Sequence, residues 1–495
     1  MENKEIKKHQ IKVNLPGGIV SIGDLLQILT ILEESAVENV RFGTRQQLYF
    51  SVDEDKLEDI EHGFFISDTE FEIDADKQPN IISSYVTEDI FNNSNWLREG
   101  VYRDVLDAFD YTPRLKINLA DNSQTLIPFF TGNLNFISSE IGNYWYLYIR
   151  FPRTNIIYCW SSLIYSEDIG TLSKLVEDAI FSNKDLFYDQ INIDGLLLEN
   201  KVKLTGSIFY QPLSAPLKLP DFQLPYYEGF NKYNDKYWLG IYRRNELFSV
   251  SFLKDLCAIC AKTRIGQLYT TPWKSIIIKG VETGDKKLWN AVLDKNRINV
   301  RHASNELNWQ SEDLCEYGLN LKRELINEFN KVDLRTFKLC FAIKTNPKSG
   351  LFGSVIIRKC ANNDLEDECK FDILHTTDFN PNSKNFTLYK DNLDRASLAE
   401  ALVKLCDNYY QLQTLSESAS ADNYYETELV TEIEYVIAHQ CSHCLTIYDE
   451  TWGDEANGVP PGTPFSDLKA DYGCAVCGAF KTDIIPIQKE SLQTI

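Results

Sequence analysis

The sequence predicts an α+β protein in two parts: a long body built on a duplicated unit, and a small four-cysteine metal module at the C-terminal end. Three observations predict it. Two segments, Ile19 to Phe50 and Leu247 to Ile278, align without a gap at a constant offset of 228 residues. Each is followed by a stretch in which helices and strands are mixed instead of regularly alternating. Near the end stand two C-x2-C pairs, Cys441/Cys444 and Cys474/Cys477.

The repeat comes first along the chain. Ser21 falls on Ser249, Leu25 on Leu253, Ile31 on Ile259 and Phe50 on Ile278. Each copy reads as strand, amphipathic helix, strand, because apolar residues recur at helical spacing between two runs of strand formers. The strands before them are I-K-V-N-L and Y-W-L-G-I-Y. A third C-x2-C, Cys257 and Cys260, lies inside the second helix, where the first copy has Leu29 and Leu32. Thiols in the place of buried leucines are small core hydrophobes, and no knuckle turn is signalled there.

The mixed stretches run from Pro79 to about Asn200 and from Arg301 to Gln413. The first has the helical run N-W-L-R-E-G-V-Y-R-D-V-L-D-A-F. The second has E-Y-G-L-N-L-K-R-E-L-I-N-E-F, the strands F-K-L-C-F-A-I and F-G-S-V-I-I-R, and a last helix S-L-A-E-A-L-V-K-L-C-D-N-Y-Y. Thr414 to Glu434 then carries six acids and no Lys or Arg, and its Ser/Ala/Asp start reads as a flexible linker. The metal module begins near Tyr435.

Composition limits the function. The chain has 495 residues, 43% of them hydrophobic, and a formal net charge of −22. That is two to four domains at about 100–200 residues each. The charge excludes general nucleic-acid binding and docking on anionic lipid, both of which need a basic footprint. It suits an acidic electron carrier steered to a basic partner, and serves solubility equally. No apolar run approaches the roughly 18 residues of a membrane span, and the charged N-terminal stretch has no apolar signal region. A cytoplasmic protein is expected. In that reducing compartment the 12 cysteines read as core thiols and a metal site. Cys159, Cys340, Cys360, Cys369 and Cys406 are expected as core or incidental thiols.

Four thiolates from Cys441, Cys444, Cys474 and Cys477 make a closed tetrahedral sulfur site for iron or zinc. Spacing alone leaves a zinc ribbon open. The residues between the pairs are more specific: Y-D at Tyr448, G-D at Gly453, G-V-P-P-G-T-P-F from Gly458 to Phe465, and C-G-A-F-K from Cys477. With these, the stretch from Tyr435 to Ile487 resembles rubredoxin. The resemblance implies one iron cycling between ferric and ferrous, with zinc readily taking the site in recombinant protein. Three positions depart from the family pattern. Leu445 stands where glycine follows the first knuckle, Ala475 replaces a proline, and Tyr472 replaces a tryptophan. His439 and His443 are expected as exposed flanking residues.

The body resembles the nitrite and sulfite reductases. The carrying residues are L-P-G-G at Leu15 to Gly18 with the helix after it, R-F-G-T-R-Q-Q-L at Arg41 to Leu48, P-R-L-K-I-N-L at Pro113 and G-N-L-N-F-I at Gly132. The resemblance implies ferredoxin-like half-domains at 8–75 and 231–300 and central reductase-like domains at 76–230 and 301–413. A linker at 414–434 and the rubredoxin domain at 435–495 follow. It assigns contacts to an anionic substrate or cofactor to Arg45, Arg114 and Lys116. It also implies sirohaem bridged to a [4Fe–4S] cluster held by C-x5-C and C-x3-C motifs. Here Trp309 stands for the first cysteine and only Cys315 remains, while Asn346, Lys348 and Ser349 offer no thiolate. Neither the cluster nor sirohaem is therefore expected.

The function expected is electron transfer by the rubredoxin iron, between an electron-donating reductase and an accepting reductase in nitrate/nitrite or sulfite assimilation. Two other functions stay open. One is an oxidoreductase of the nitrite/sulfite reductase type that binds sirohaem without the cluster and is fed by its own rubredoxin domain. The other is a redox-sensing scaffold.

Overall fold

The structure is a computed structural model that describes residues 7–91, 96–206, 208–213, 215–346, 349–360, 369–383, 385–428, 435–444, 446–450, 453–454 and 457–490. It divides into two compact units, Met1–Cys406 and Asp407–Ile495. The fold is mixed α and β, as expected.

In the first unit the 228-residue offset is carried by the secondary structure itself. The repeat helices are Ile22–Glu34 and Val250–Lys262, 13 residues each. Ile22, Leu25, Ile28, Leu29 and Leu32 are buried on the first, and Val250, Leu253, Leu256, Cys257 and Cys260 on the second, position for position. Both helices start on a serine cap: Ser21 Oγ accepts from the Asp24 N–H (3.0 Å) and Ser249 Oγ from the Phe252 N–H (3.3 Å). Both end on a residue in the left-handed region, Ala36 (φ 58°) and Arg264 (φ 60°). The following amides, of Val37 and Ile265, donate back to the Leu32 and Cys260 carbonyls. Cys257 and Cys260 lie in the same core as Leu29 and Leu32, and burial pushes both thiols up to about 12.

Each repeat forms a five-stranded sheet that borrows a strand from the other. The first orders Phe71–Ile73, Lys8–Val13, Leu48–Asp53, Asn39–Phe42 and, at the edge, Phe248–Ser249. The second orders Gly229–Tyr233, Lys236–Ile241, Ile276–Val281, Gln267–Thr270 and, at the edge, Ile19–Ser21. The borrowed strands are short, and they cover what would otherwise be an open sheet edge.

The duplication continues into the mixed stretches. The strands Ile82–Ser83, Ile117–Ala120 and Leu134–Ser138 pair in parallel, and Tyr144–Arg150 returns antiparallel. The strands Trp309–Ser311, Phe341–Lys344 and Val355–Lys359 repeat that order, with Lys370–Thr376 returning antiparallel. The helices Glu99–Asp107 and Glu316–Lys331 make the first crossover that parallel pairing requires.

The stretch expected as a linker from Thr414 is helical instead, within a helix spanning Leu398–Glu428. No Gly or Pro interrupts the sequence there, and its Ser/Ala/Asp composition signals a joint more weakly than a true helix breaker. The remainder of that call, to Glu434, lies outside the described residues.

In the second unit, a three-stranded antiparallel sheet orders Ile447–Tyr448, Tyr435–Cys441 and Ile484–Glu490. Its core is Tyr448, Leu468, Tyr472, Ile484, Cys441 and Cys474, with Phe465 packed against them.

Candidate metal centre

The first cysteine pair ends the strand Tyr435–Cys441, and the second follows Gly473, which bridges to Phe480. The Cys441 N–H donates to the Thr446 carbonyl (2.9 Å), closing the first turn. The Cys474 and Gly478 amides bond to Ala479 O and Cys474 O, both at 2.8 Å, closing the second. Gly478 sits at φ 71°, which a side chain tolerates poorly. Leu445, the departure noted in the first knuckle, lies outside the described residues.

The four Sγ atoms lie within 4.8 Å of one another. Cys441–Cys477 are separated by 3.6 Å and Cys444–Cys474 by 3.5 Å, two opposite edges of one tetrahedron. A metal with sulfur bonds of about 2.3 Å needs edges of about 3.8 Å, so the donor set fits a single iron or zinc. Cys441 and Cys474 are buried, Cys444 is half-buried and Cys477 is exposed. The Thr446 hydroxyl lies 3.1 Å from Cys444 Sγ. That hydroxyl, with the Thr446 amide, pulls the Cys444 thiol down to about 6.

The aromatic support is built locally. Tyr472 fills the place expected for it, buried edge-on to Tyr448. Its hydroxyl, which a tryptophan would lack, donates to Asp454 (2.7 Å). Gly453, at φ 66°, has no room for a side chain: a Cβ there would stand 2.5 Å from Val459 O. His443 is exposed as expected, 3.9 Å from Asp483. His439 is not. It stacks on Phe465 with ring centroids 3.9 Å apart, because the antiparallel strand turns alternate residues toward the core.

Comparison with known proteins now bears on this unit. The rubredoxin family profile matches residues 438–484. Rubredoxin from Megasphaera elsdenii is 54% identical over 43 residues, which cover 9% of this chain and 81% of that protein. Through this unit the chain belongs to the rubredoxin family. High molecular weight rubredoxin from Moorella thermoacetica is 49% identical over 43 residues, 9% of this chain. The chain spans only 19% of that relative's length. The body of this rubredoxin-bearing chain is similar in fold to the Mycobacterium tuberculosis NirA protein. The TM-score is 0.61 at 13% identity, over 81% of this chain and 80% of that one. The body thus has the reductase-like fold that its motifs imply.

Within the body, the three basic residues separate. Arg45 and Lys116 line a cavity of about 120 Å³ together with Thr44, Gln310, Glu312 and Asp313. The Arg45 guanidinium donates to Asn80 O, Ile117 O and Asn118 Oδ1, and burial lowers it to about 10. Burial, with Arg45 nearby, also holds the Lys116 ammonium below its ordinary range. Arg114 is not brought to this cavity. Its Nε donates to Glu177 (2.8 Å) and its guanidinium lies over Phe181, 4.3 Å from the centroid. A buried carboxylate such as Glu177 requires a partner, and Arg114 supplies it. Arg150, which no local motif marks, is half-buried close by, donates to Thr131 O and is lowered to about 10 by desolvation.

The residues at the expected cluster position do not fit a [4Fe–4S] cluster. Trp309 is buried and stacked on Phe341 at 4.5 Å. Cys315 is an N-cap, its sulfur accepting from the Gly318 N–H at 3.4 Å. Asn346 and Ser349 carry no thiol, and Lys348 lies outside the described residues. One thiolate cannot replace four.

Proposed function

We propose that this protein is a one-electron carrier whose iron is held by Cys441, Cys444, Cys474 and Cys477. The supporting observation is the closed four-sulfur set with one ligand, Cys477, at the surface. Bound iron supplies a ferric/ferrous couple there. The chain does the rest: four thiolates hold both states in one geometry, and no protein-free position is left for a substrate. Amide and hydroxyl donors such as Thr446 stabilise charge on sulfur and set the potential.

The electron leaves by the Cys477 edge, where Val476 and Phe480 are exposed and apolar. A partner docking there would displace water from the outlet. An electron-donating reductase and an accepting reductase in nitrate/nitrite or sulfite assimilation, in the cytoplasm, are the partners that the reductase-like body supports. The body serves as a docking platform, and of the expected basic contacts Arg45 and Lys116 stay together at one cavity. Among the described residues no helix is long and apolar enough to cross a membrane.

The test is a visible spectrum of protein purified from its own host, before and after reduction. Thiolate-to-iron bands that bleach reversibly support the carrier. Stoichiometric zinc with no iron in that material overturns it.

A further inference from the structure

The turn Glu312–Asp313 ties together the loops that a cluster would otherwise join. Glu312 accepts from the Thr345 N–H (3.1 Å), the Thr345 hydroxyl and the Asn346 N–H (2.8 Å). Its carbonyl accepts from Lys274 Nζ (3.2 Å). Asp313 accepts from the Thr44 N–H (2.9 Å) and the Thr44 hydroxyl (3.0 Å). Asp313 also faces Lys274 Nζ at 3.6 Å, while that ammonium bonds to the buried Glu246 at 2.8 Å. Two adjacent carboxylates thus bind three segments remote in sequence: the loop at 44, the loop at 274 and the loop at 345–346.

We propose that Glu312 is a structural replacement for a metal cluster, a carboxylate cross-tie that holds the Trp309–Cys315 and Thr345–Asn346 loops together without metal. An iron–sulfur cluster joins loops through bonds to each. Here one side chain from the first loop does so through three hydrogen bonds from the second, two of them from backbone amides. The stacked Trp309 and Phe341 close the apolar side of the same junction. Among the described residues the four rubredoxin cysteines are the one group placed to hold a metal, so the full chain stores one electron, in that site. The electron count rests on the carrier function; the cross-tie does not.

The test uses the full chain purified anaerobically from its host. Acid-labile sulfide should be absent, and reductive titration should take up one electron per chain. Sulfide at cluster stoichiometry, or uptake of further electrons, overturns the proposal and leaves the rubredoxin function standing. A rubredoxin iron that cannot be reduced defeats the carrier function and leaves the cross-tie standing. Hydrogen exchange supplies the second arm. Glu312→Ala should speed exchange of the Thr345 and Asn346 amides by about tenfold or more, the effect of losing charge-assisted bonds. Glu312→Gln, which keeps one accepting oxygen, should restore part of it, and neither variant should change the iron–thiolate spectrum. Unchanged exchange in Glu312→Ala overturns the proposal. Should Glu312→Ala fail to fold, the sulfide and electron counts on the unaltered chain decide.

Discussion

Val20 and Leu268 pair across an antiparallel bridge although they come from different repeats, and Phe248 and Val40, their equivalents at the 228-residue offset, pair in the same way. Each repeat completes the other's sheet. Expressed separately, residues 8–225 and 226–413 should each be aggregated or unfolded, since each would have a bare edge and a strand without its partner. Expressed together they should form a soluble one-to-one complex, measurable by size-exclusion chromatography.

The helix caps give a finer test of the same symmetry. Ser21→Ala and Ser249→Ala should each cost about 1 kcal/mol, because each leaves the N–H of Asp24 or Phe252 without its acceptor. Urea unfolding followed by circular dichroism should show two losses of similar size.

Burial of Cys257 and Cys260 makes the body sensitive to alkali. Their folded thiols are raised from 9.0 to about 12, so the folded state binds more protons than the unfolded state between those values. The stability they contribute is complete below pH 9 and is lost as pH rises toward 12. In Cys257→Ala/Cys260→Ala, denaturant unfolding should show a lower stability at pH 8 and a shallower decline above pH 9.

In the rubredoxin unit, Cys474→Ala removes a buried ligand and should abolish iron binding, with loss of the thiolate-to-iron absorption. The far-ultraviolet dichroism of the whole chain should be nearly unchanged, because the body's cores contain none of these cysteines.

Gly453→Ala should weaken iron retention without touching a ligand. A Cβ would press on Val459 O, and the left-handed backbone adds about 1–2 kcal/mol of strain. Thermal bleaching of the iron bands should begin at a lower temperature than in the unaltered protein.

Much of this was legible in the sequence, for reasons that differ by residue. The repeat helices declared themselves because Leu25, Leu29 and Leu32 recur at helical spacing and reappear as Leu253, Cys257 and Cys260. The four metal cysteines carried their own spacing. The strand exchange was hidden, since Ile19–Ser21 reads as a strand whatever its partner. Arg45 looked available for an anion, but its donors meet carbonyls of Asn80 and Ile117, far away in the chain. Arg114 lost its expected place to Glu177, a residue 63 positions on. The role of Glu312 had no local signal, because it depends on loops that only the fold brings together.

The exchanged strands also bear on how the gene can change. A duplication that folds as two independent copies can lose either one. Here deletion of one copy uncovers an edge in the survivor, so neither half can be trimmed away alone. Such a body can change at its surface, but its length is held by its architecture.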